Sequence, residues 1–406
     1  MPNTLISVDL RLPPEEQNPR PHNRWHPDVP PVVAVDPGTV FRMECLDLTG
    51  GQVLNSDSAD DVRELDLAQL HYLSGPVAVN GARPGDLLVV DVLDIGPLSG
   101  AEWGYTAILD ASAGTGLLAE EHPEARKAIW DLNGIYASSR HVEGVRFVGL
   151  PHPGVIGCAP SAERMARWSR REREALRGRP GRLVEEALLP GPEGALLGHL
   201  PAAEAARVAR EAARTWPARE NGGNMEVKEL SRGSRVYLPV YVPGANLSIG
   251  DLQFSQGDGK ITGFGGIKMA GWIDLHVELV RDGMQRFGIG AAVLEPGPVE
   301  RGYGEYVTFQ GVSVDEDDVQ HYLDPWMAYR MACRHAIRHL ERFGYAGEQA
   351  YVLLAAAPVQ GRISCMLEHP SVCCTVAVPR AIFDFEVGPG AAELRPRPRG
   401  ELARPS

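Results

Sequence analysis

The sequence predicts a mainly β protein with α+β portions: a β-sandwich or barrel core that carries a helical insertion and is followed by an accessory α+β region. Three observations predict it. Over about residues 32–98, short β-branched runs (PPVVAVDPGTVFRMECLD, then GPVAVNGARPGDLLVVDVLDIGPL) are broken by Gly and Pro at the spacing of sandwich or barrel strands. Between residues 161 and 218 the character changes to runs rich in Ala, Arg, Glu and Leu, which are helix formers. Over residues 324–345, DPWMAYRMACRHAIRHLERFGY places apolar residues at helical spacing and stops at Gly344.

Taken in order, residues 1–160 form an N-terminal β-rich part. Its GARPGD unit at 81–86 reads as a turn feeding a strand, with Asp86 available to bond its own main chain. Within it, ARKAIWDL at 125–132 reads as a helix with Trp130 in the core. Residues 161–220 form a helical insertion, started by Ser161 as cap with Glu163 in the first turn, and placed to act as an interface arm or a lid. Its arginines and Glu163 read as a solvated face. Residues 221–300 return to strands and carry the candidate site. Residues 301–390 form a C-terminal α+β part in which EQAYVLLAAAPVQGRISCMLEHPSVCCTVAVPRAIFDF reads as two more buried strands or as a helix and strands. Residues 391–406 read as a flexible tail.

With 406 residues, 44% hydrophobic and 23% charged, the chain has the size and composition of a soluble enzyme. Its net charge of −13 repels nucleic acid and anionic membranes, so neither is an expected partner. Six cysteines, irregularly spaced, form neither a disulfide framework nor a zinc ribbon. Reduced thiols, a start without a signal-like apolar stretch and no run long enough to span a bilayer lead to the expectation of a cytoplasmic protein.

The chemistry concentrates in residues 220–274, ENGGNMEVKELSRGSRVYLPVYVPGANLSIGDLQFSQGDGKITGFGGIKMAGWID, where glycines, acids and amides alternate with short apolar runs. Acids and amides gathered in this way can activate a water, polarise a carbonyl and protonate a leaving group. Glu226, Asp251 and Asp258 are the acids here, with Glu44 and Asp47 further upstream. Asn224, Gln253 and Gln256 offer amide donors and acceptors. His152 and Cys158 lie on a Gly- and Pro-rich stretch, PHPGVIGCAPS, that can bring backbone close to a ligand. An acid beside glycine, such as Asp251 or Asp258, is often only a turn acid, and Cys158 on its own reads as a small core residue.

The same segment resembles the acetamidase/formamidase family, most closely its formamidase branch, whose members read GGNxDxKxLSRGS, YxPVYVxGA, GDLHFSQGDGE and AIEMAGW. Further similar stretches run in order along the chain: MECLDLTGGQ at 43–52, LHYLSGP at 70–76, PGDLLVVDVLDIGPL at 84–98, SRHVEGVRF at 139–147, HPGVIGCAPS at 152–161 and FGYAGEQAYVLL at 343–354. The resemblance implies a cytoplasmic homo-oligomer, a dimer or larger, with a β-rich, jelly-roll-like fold. It implies a formamidase-like hydrolase that cleaves the C–N bond of a small amide, releasing ammonia or an amine and a carboxylate.

The chain departs from that pattern at four positions: Glu226 stands for aspartate, Gln253 for histidine, and Lys260 and Lys268 each for glutamate. Zinc or another divalent metal is the family-like means of activating water, with Asp251 and His152 as ligands where a metal is retained. Two carboxylate-to-lysine changes raise local charge by about +4, so metal binding is expected to be weakened or lost. Lys260 and Lys268 then supply the positive charge, beside Glu226, Asp251, Asp258 and His152 as acids and base, with Asn224, Gln253 and Gln256 as positioning groups. Two alternatives stay open: a lysine-centred, metal-independent lyase, cyclase or other biosynthetic step on a different substrate, and an inactive homologue with a binding or structural role. The stretch 101–122 also differs from the family and is placed to shape a pocket.

Overall fold

The computed structural model describes residues 2–179, 181, 192–297, 303–388, 391 and 397–406. Its centre is a sandwich of two six-stranded sheets. One sheet runs Asn3–Ile6, Val40–Cys45, Gly271–Val280, Leu87–Pro97, Arg235–Pro239, Val293–Glu295. The other runs Ala218–Arg219, Gly222–Asn224, His152–Cys158, Leu247–Gln253, Leu73–Val79, Val33–Val35. Phe41, Met43, Val90 and Leu275 of the first meet Val77, Ile156, Leu247 and Ile249 of the second in one apolar core. The alternation of Val40–Cys45, in which every second side chain is buried, is the expected mark of a strand with one face on that core.

The two central strands of the second sheet, His152–Cys158 and Leu247–Gln253, are buried along their whole length. Their outer face is therefore also covered, and this is where polar residues can be held out of water. At Asp251 the backbone takes φ 51°, which breaks the alternation: Leu247 and Ile249 enter the core before it and Leu252 after it.

The helical insertion supplies Ala162–Leu176, capped by Ser161 Oγ accepting from the Arg164 N–H at 3.2 Å, and Ala202–Glu211. The part of the expected helical run at 182–191 lies outside the described residues. In the C-terminal part, helix Pro325–Glu341 starts at Asp324, whose carboxylate accepts from the Met327 N–H, and ends before Gly344 at φ 95°. It packs with helix Gly347–Ala356 and a three-stranded sheet made of Tyr306–Val312, Ser371–Pro379 and Gln360–Glu368, so 346–379 is a helix followed by strands. Among the described residues no helix is long and apolar enough to cross a membrane.

Two expectations are corrected. Residues 125–132 are not helical: Arg126–Asn133 is a strand paired with Trp103–Ile108 and Tyr136–Ser138. Its start has helix-forming residues, but Asn133-Gly134, with Gly134 at φ 61°, makes a tight hairpin into Tyr136–Ser138, and the pairing decides. Trp130 is buried as expected, its indole N–H donating to Thr106 Oγ1. The tail is not free over 397–406: Ala403 exchanges main-chain hydrogen bonds with Lys127, Leu402 and Ala403 are buried, and Arg399 lies over the Phe385 ring. The tail residues 392–396 lie outside the described residues.

Candidate active site

Within residues 220–274, the strands Gly222–Asn224 and Leu247–Gln253 belong to the second sheet, and the turns and loop that follow them bring their charged side chains together. Strand Gly222–Asn224 pairs beside His152–Cys158, and the chain then turns so that the Glu226 N–H reaches the Gly154 carbonyl at 3.2 Å. Strand Leu247–Gln253 presents Asp251 and Gln253. The loop beyond it carries Gln256, Asp258 and Lys260 and returns so that Lys268 bridges to both Gln253 and Tyr105. Glu226, Asp251 and Lys260 all sit in the left-handed region, at φ 54°, 51° and 47°. Each such residue costs of order 1 kcal/mol or more, and backbone strain of this kind gathers at functional sites.

The result is a buried chain of alternating charge. The Lys260 ammonium is 2.5 Å from Glu226 Oε1, the Lys268 ammonium 3.8 Å from the same oxygen and 2.8 Å from Asp251 Oδ1. Gln253 donates its amide N–H to Glu226 Oε2 and accepts from the Gly266 N–H, which fixes the plane of the carboxylate. Lys268 and Asp251 have 0% of their side chains exposed, Glu226 10% and Lys260 19%, so the series opens toward solvent at Lys260.

Burial and charge act in opposite directions along this series. Burial alone would raise Glu226, but Lys260 and Lys268 overcome it and hold the carboxyl well below its usual range, ionised. Asp251 goes the other way: its burial outweighs the pull of Lys268, and the neighbouring Glu226 charge adds to the upward shift, to about 6. Burial lowers Lys268, whereas for Lys260 the charges of Glu226 and Asp251 outweigh burial and keep it a firm ammonium.

Glycines make room for these groups. A Cβ on Gly154 would stand 2.7 Å from Asp251 Oδ2 and 2.8 Å from Gln253 Nε2, and one on Gly265 would stand 2.9 Å from Lys268 Nζ. Gly154→Ala is therefore expected to push Asp251 and Gln253 out of register and lower kcat/KM by about 10- to 100-fold, read by an amide turnover assay.

The other expected site residues divide. His152 pairs across the sheet with Gln253; its Nδ1 bonds the Leu150 carbonyl at 2.7 Å, its Nε2 is buried without a partner, and burial lowers it to about 4, so it is neutral. Gln256 donates to the Glu226 carbonyl at 3.0 Å, and its Oε1 has no partner. Asn224 donates to the Trp216 carbonyl and leaves Oδ1 unpartnered. Asp258 pairs with Lys228 and accepts from the Gly361 N–H, which makes it a brace between the site loop and the C-terminal sheet.

Three lie elsewhere. Glu44 accepts from the Val8 N–H at 3.1 Å near the sheet edge. Asp47 closes its own turn by accepting from Thr49 and Gly51 N–H and takes the Tyr105 hydroxyl at 2.9 Å, one residue removed from the series. Cys158 is buried in the apolar core, and burial pushes its thiol up, away from the nucleophilic thiolate. What the sequence did not single out is His71. It is buried, bonded at Nδ1 to Thr215 Oγ1, tilted against Trp216 with 4.5 Å between ring centroids, and held neutral by burial and by the fields of Lys260 and Lys268. The histidine and tyrosine in LHYLSGP, just before a strand, were the available signal.

A cavity of about 890 Å³ leads to Lys260, with Asn224, Asp258 and Trp216 on its wall. The stretch 101–122 contributes Thr115, Gly116 and Leu117, as its expected pocket-shaping role requires, and the insertion helix contributes Leu176.

Residues 7–385 match the sequence profile of the Acetamidase/Formamidase family. The chain belongs to that family. Among relatives, it is 49% identical over 388 residues to a protein named formamidase from Methylophilus methylotrophus, covering 96% of this chain and 95% of that one. It is 48% identical over 370 residues to an acetamidase from Mycolicibacterium smegmatis, covering 89% and 91%. A solved structure described as a gamma lactamase from Delftia acidovorans superposes with a TM-score of 0.95 at 48% identity over 100% of both chains.

The side chains of this family member do not fit the divalent metal that the resemblance raised. The Asp251 carboxylate is already taken by Lys268 and the Glu226 carboxylate by Lys260, and an ammonium beside each carboxylate repels a cation. Even counted together, His152 and Asp251 are two donors, short of the three protein ligands a catalytic zinc takes. Among the described residues no group of three or more His, Cys, Asp and Glu is placed to hold an ion.

Proposed function

We propose that this protein is an amidohydrolase of small amides and that the Lys260–Glu226–Lys268–Asp251 series is its reaction centre. The observation that carries this is an ionised carboxylate, Glu226, paired with Lys260, whose side chain lines a cavity, in a chain of this family. The names of the relatives support the reaction class, since formamide, acetamide and a lactam share the same C–N amide bond.

In this reading Glu226 takes a proton from water as the water oxygen attacks the amide carbon. Lys260, on the cavity wall, donates a hydrogen bond to the carbonyl oxygen and stabilises the charge that grows there. As the C–N bond breaks, Glu226 returns the proton to the leaving nitrogen, giving ammonia and a carboxylic acid that ionises in solution. Gln253 holds the carboxylate in orientation. Lys268, neutralised on its far side by Asp251, supplies positive charge to Glu226 without capping it. The lysine-centred alternative is thus absorbed into amide hydrolysis, with both lysines kept as charges. Release of ammonia from formamide and acetamide tests the reaction class; a folded protein that releases none from either is the adverse result.

The acid side of the pH profile follows from the same geometry. Above about 6 Asp251 is ionised and retains Lys268. Below that, protonated Asp251 loosens Lys268, whose ammonium lies 3.8 Å from Glu226 Oε1 and is drawn to it, weakening the base. We expect kcat/KM to fall as pH drops through about 6, a property of the coupled series as a whole. Asp251→Asn is expected to be slow throughout with that limb absent; a profile flat to pH 4.5 in the unmodified protein contradicts the assignment.

The proposal includes a cytoplasmic homo-oligomer. Supporting it are cysteines that are all free thiols and large apolar side chains left exposed in the C-terminal part, Tyr322, Met366 and Leu367.

A further inference from the structure

The cavity over Lys260 is far larger than formamide or acetamide requires. At about 890 Å³ it lies in the range that accommodates ligands many times their size. Lys260 and Asn224 lie on its wall, and the Asn224 Oδ1 is buried with no hydrogen-bond partner. The apolar part of the wall is built from Leu117, Leu176, Trp216, Ile261, Tyr329 and Ile363, contributed by separate parts of the chain. Arg362 and Glu172 are the charged side chains on the remaining wall. A small amide seated with its carbonyl on Lys260 and its N–H groups toward Asn224 would touch little of this surface.

We infer that the cavity is an acyl-side subsite, which extends the reaction from small amides to amides bearing an apolar chain or ring of about five to eight carbons. The inference rests on the amide-hydrolase reading above. The amide head sits at Lys260 and Asn224, and the acyl group lies along the apolar wall toward Ile363. Each methylene withdrawn from water there raises kcat/KM by about fourfold where that burial is realised in the transition state.

The test is ammonia release from formamide, acetamide, hexanamide and benzamide under one set of conditions. Hexanamide and benzamide are expected to show kcat/KM at least about tenfold above acetamide. Leu176→Ser and Ile363→Ser place a hydroxyl on two different parts of the wall, neither of them in the apolar core of the fold. Each is expected to lower the hexanamide-to-acetamide ratio of kcat/KM by about threefold or more, and a ratio within one protein is insensitive to the fraction folded. Turnover of formamide and acetamide with kcat/KM falling as the chain lengthens overturns the inference and leaves the amide-hydrolase reading standing. An unchanged ratio in both variants also overturns it. No ammonia from any of the four amides overturns the amide-hydrolase reading and this inference with it.

Discussion

Glu226→Gln is expected to reduce amide turnover by about a thousandfold or more, the range in which a positioned general base acts and equivalent to about 4 kcal/mol of barrier. The amide has nearly the shape of the carboxylate, so Gln253 can still meet it, and the bond from Gln256 to the main-chain carbonyl of residue 226 is kept. What goes is the negative charge between Lys260 and Lys268. The buried Lys268 and the partly exposed Lys260 then have Asp251 as their remaining counter-charge, and the variant should also lose about 3 kcal/mol of stability through the uncompensated charge. Binding of an unreactive amide and the denaturation midpoint, measured with the rate, separate the two effects. A rate within tenfold of the unmodified protein removes Glu226 from the reaction.

Lys268→Met is expected to be the most destabilising single change at the site, by about 3–5 kcal/mol, because it leaves the Asp251 carboxylate buried without the cation paired to it. Asp251 will then take up a proton, having already been pushed upward by burial, so the loss should shrink as pH is lowered. The sign is fixed by linkage. A carboxyl with a raised pKa in the folded state binds protons more tightly there than in the unfolded chain, and folding gains as pH falls toward and below that pKa. Pairing the change with Asp251→Leu removes both charges and is expected to recover most of the stability without recovering turnover. Urea midpoints of the single and double variants, with rates, form the cycle. Recovery of activity in the double variant would show the pair to be only structural.

The parts of the fold that announced themselves were those with local chemistry. Ser161 caps a helix because its hydroxyl meets the Arg164 N–H, and Asp324 and Gly344 bound another for similarly local reasons. The strand at 126–133 was hidden because Ala, Arg and Lys at its start favour a helix in isolation, while its hairpin and cross-strand partners decide the outcome. The packed end of the chain was hidden for the same reason, since Ala403 and Lys127 are far apart in sequence.

In the site, the dense segment 220–274 exposed Glu226, Asp251, Gln253, Lys260 and Lys268, which the fold does bring together. Resemblance spread along a chain marks framework as well as chemistry, and this is why Glu44, Asp47 and Cys158 were gathered in with them. His71 and Trp216 come from different segments and meet only in the folded protein. The left-handed backbone at Glu226, Asp251 and Lys260 had no sequence signal, because a non-glycine residue in that conformation is held there by its surroundings.

The most direct measurement is ammonia release from formamide and acetamide by protein dialysed exhaustively against a strong chelator, with Glu226→Gln treated identically. A lysine–carboxylate centre predicts an undiminished rate in the chelated protein and background release in the variant. Activity lost on chelation and restored by zinc, or equal release by the variant, contradicts it.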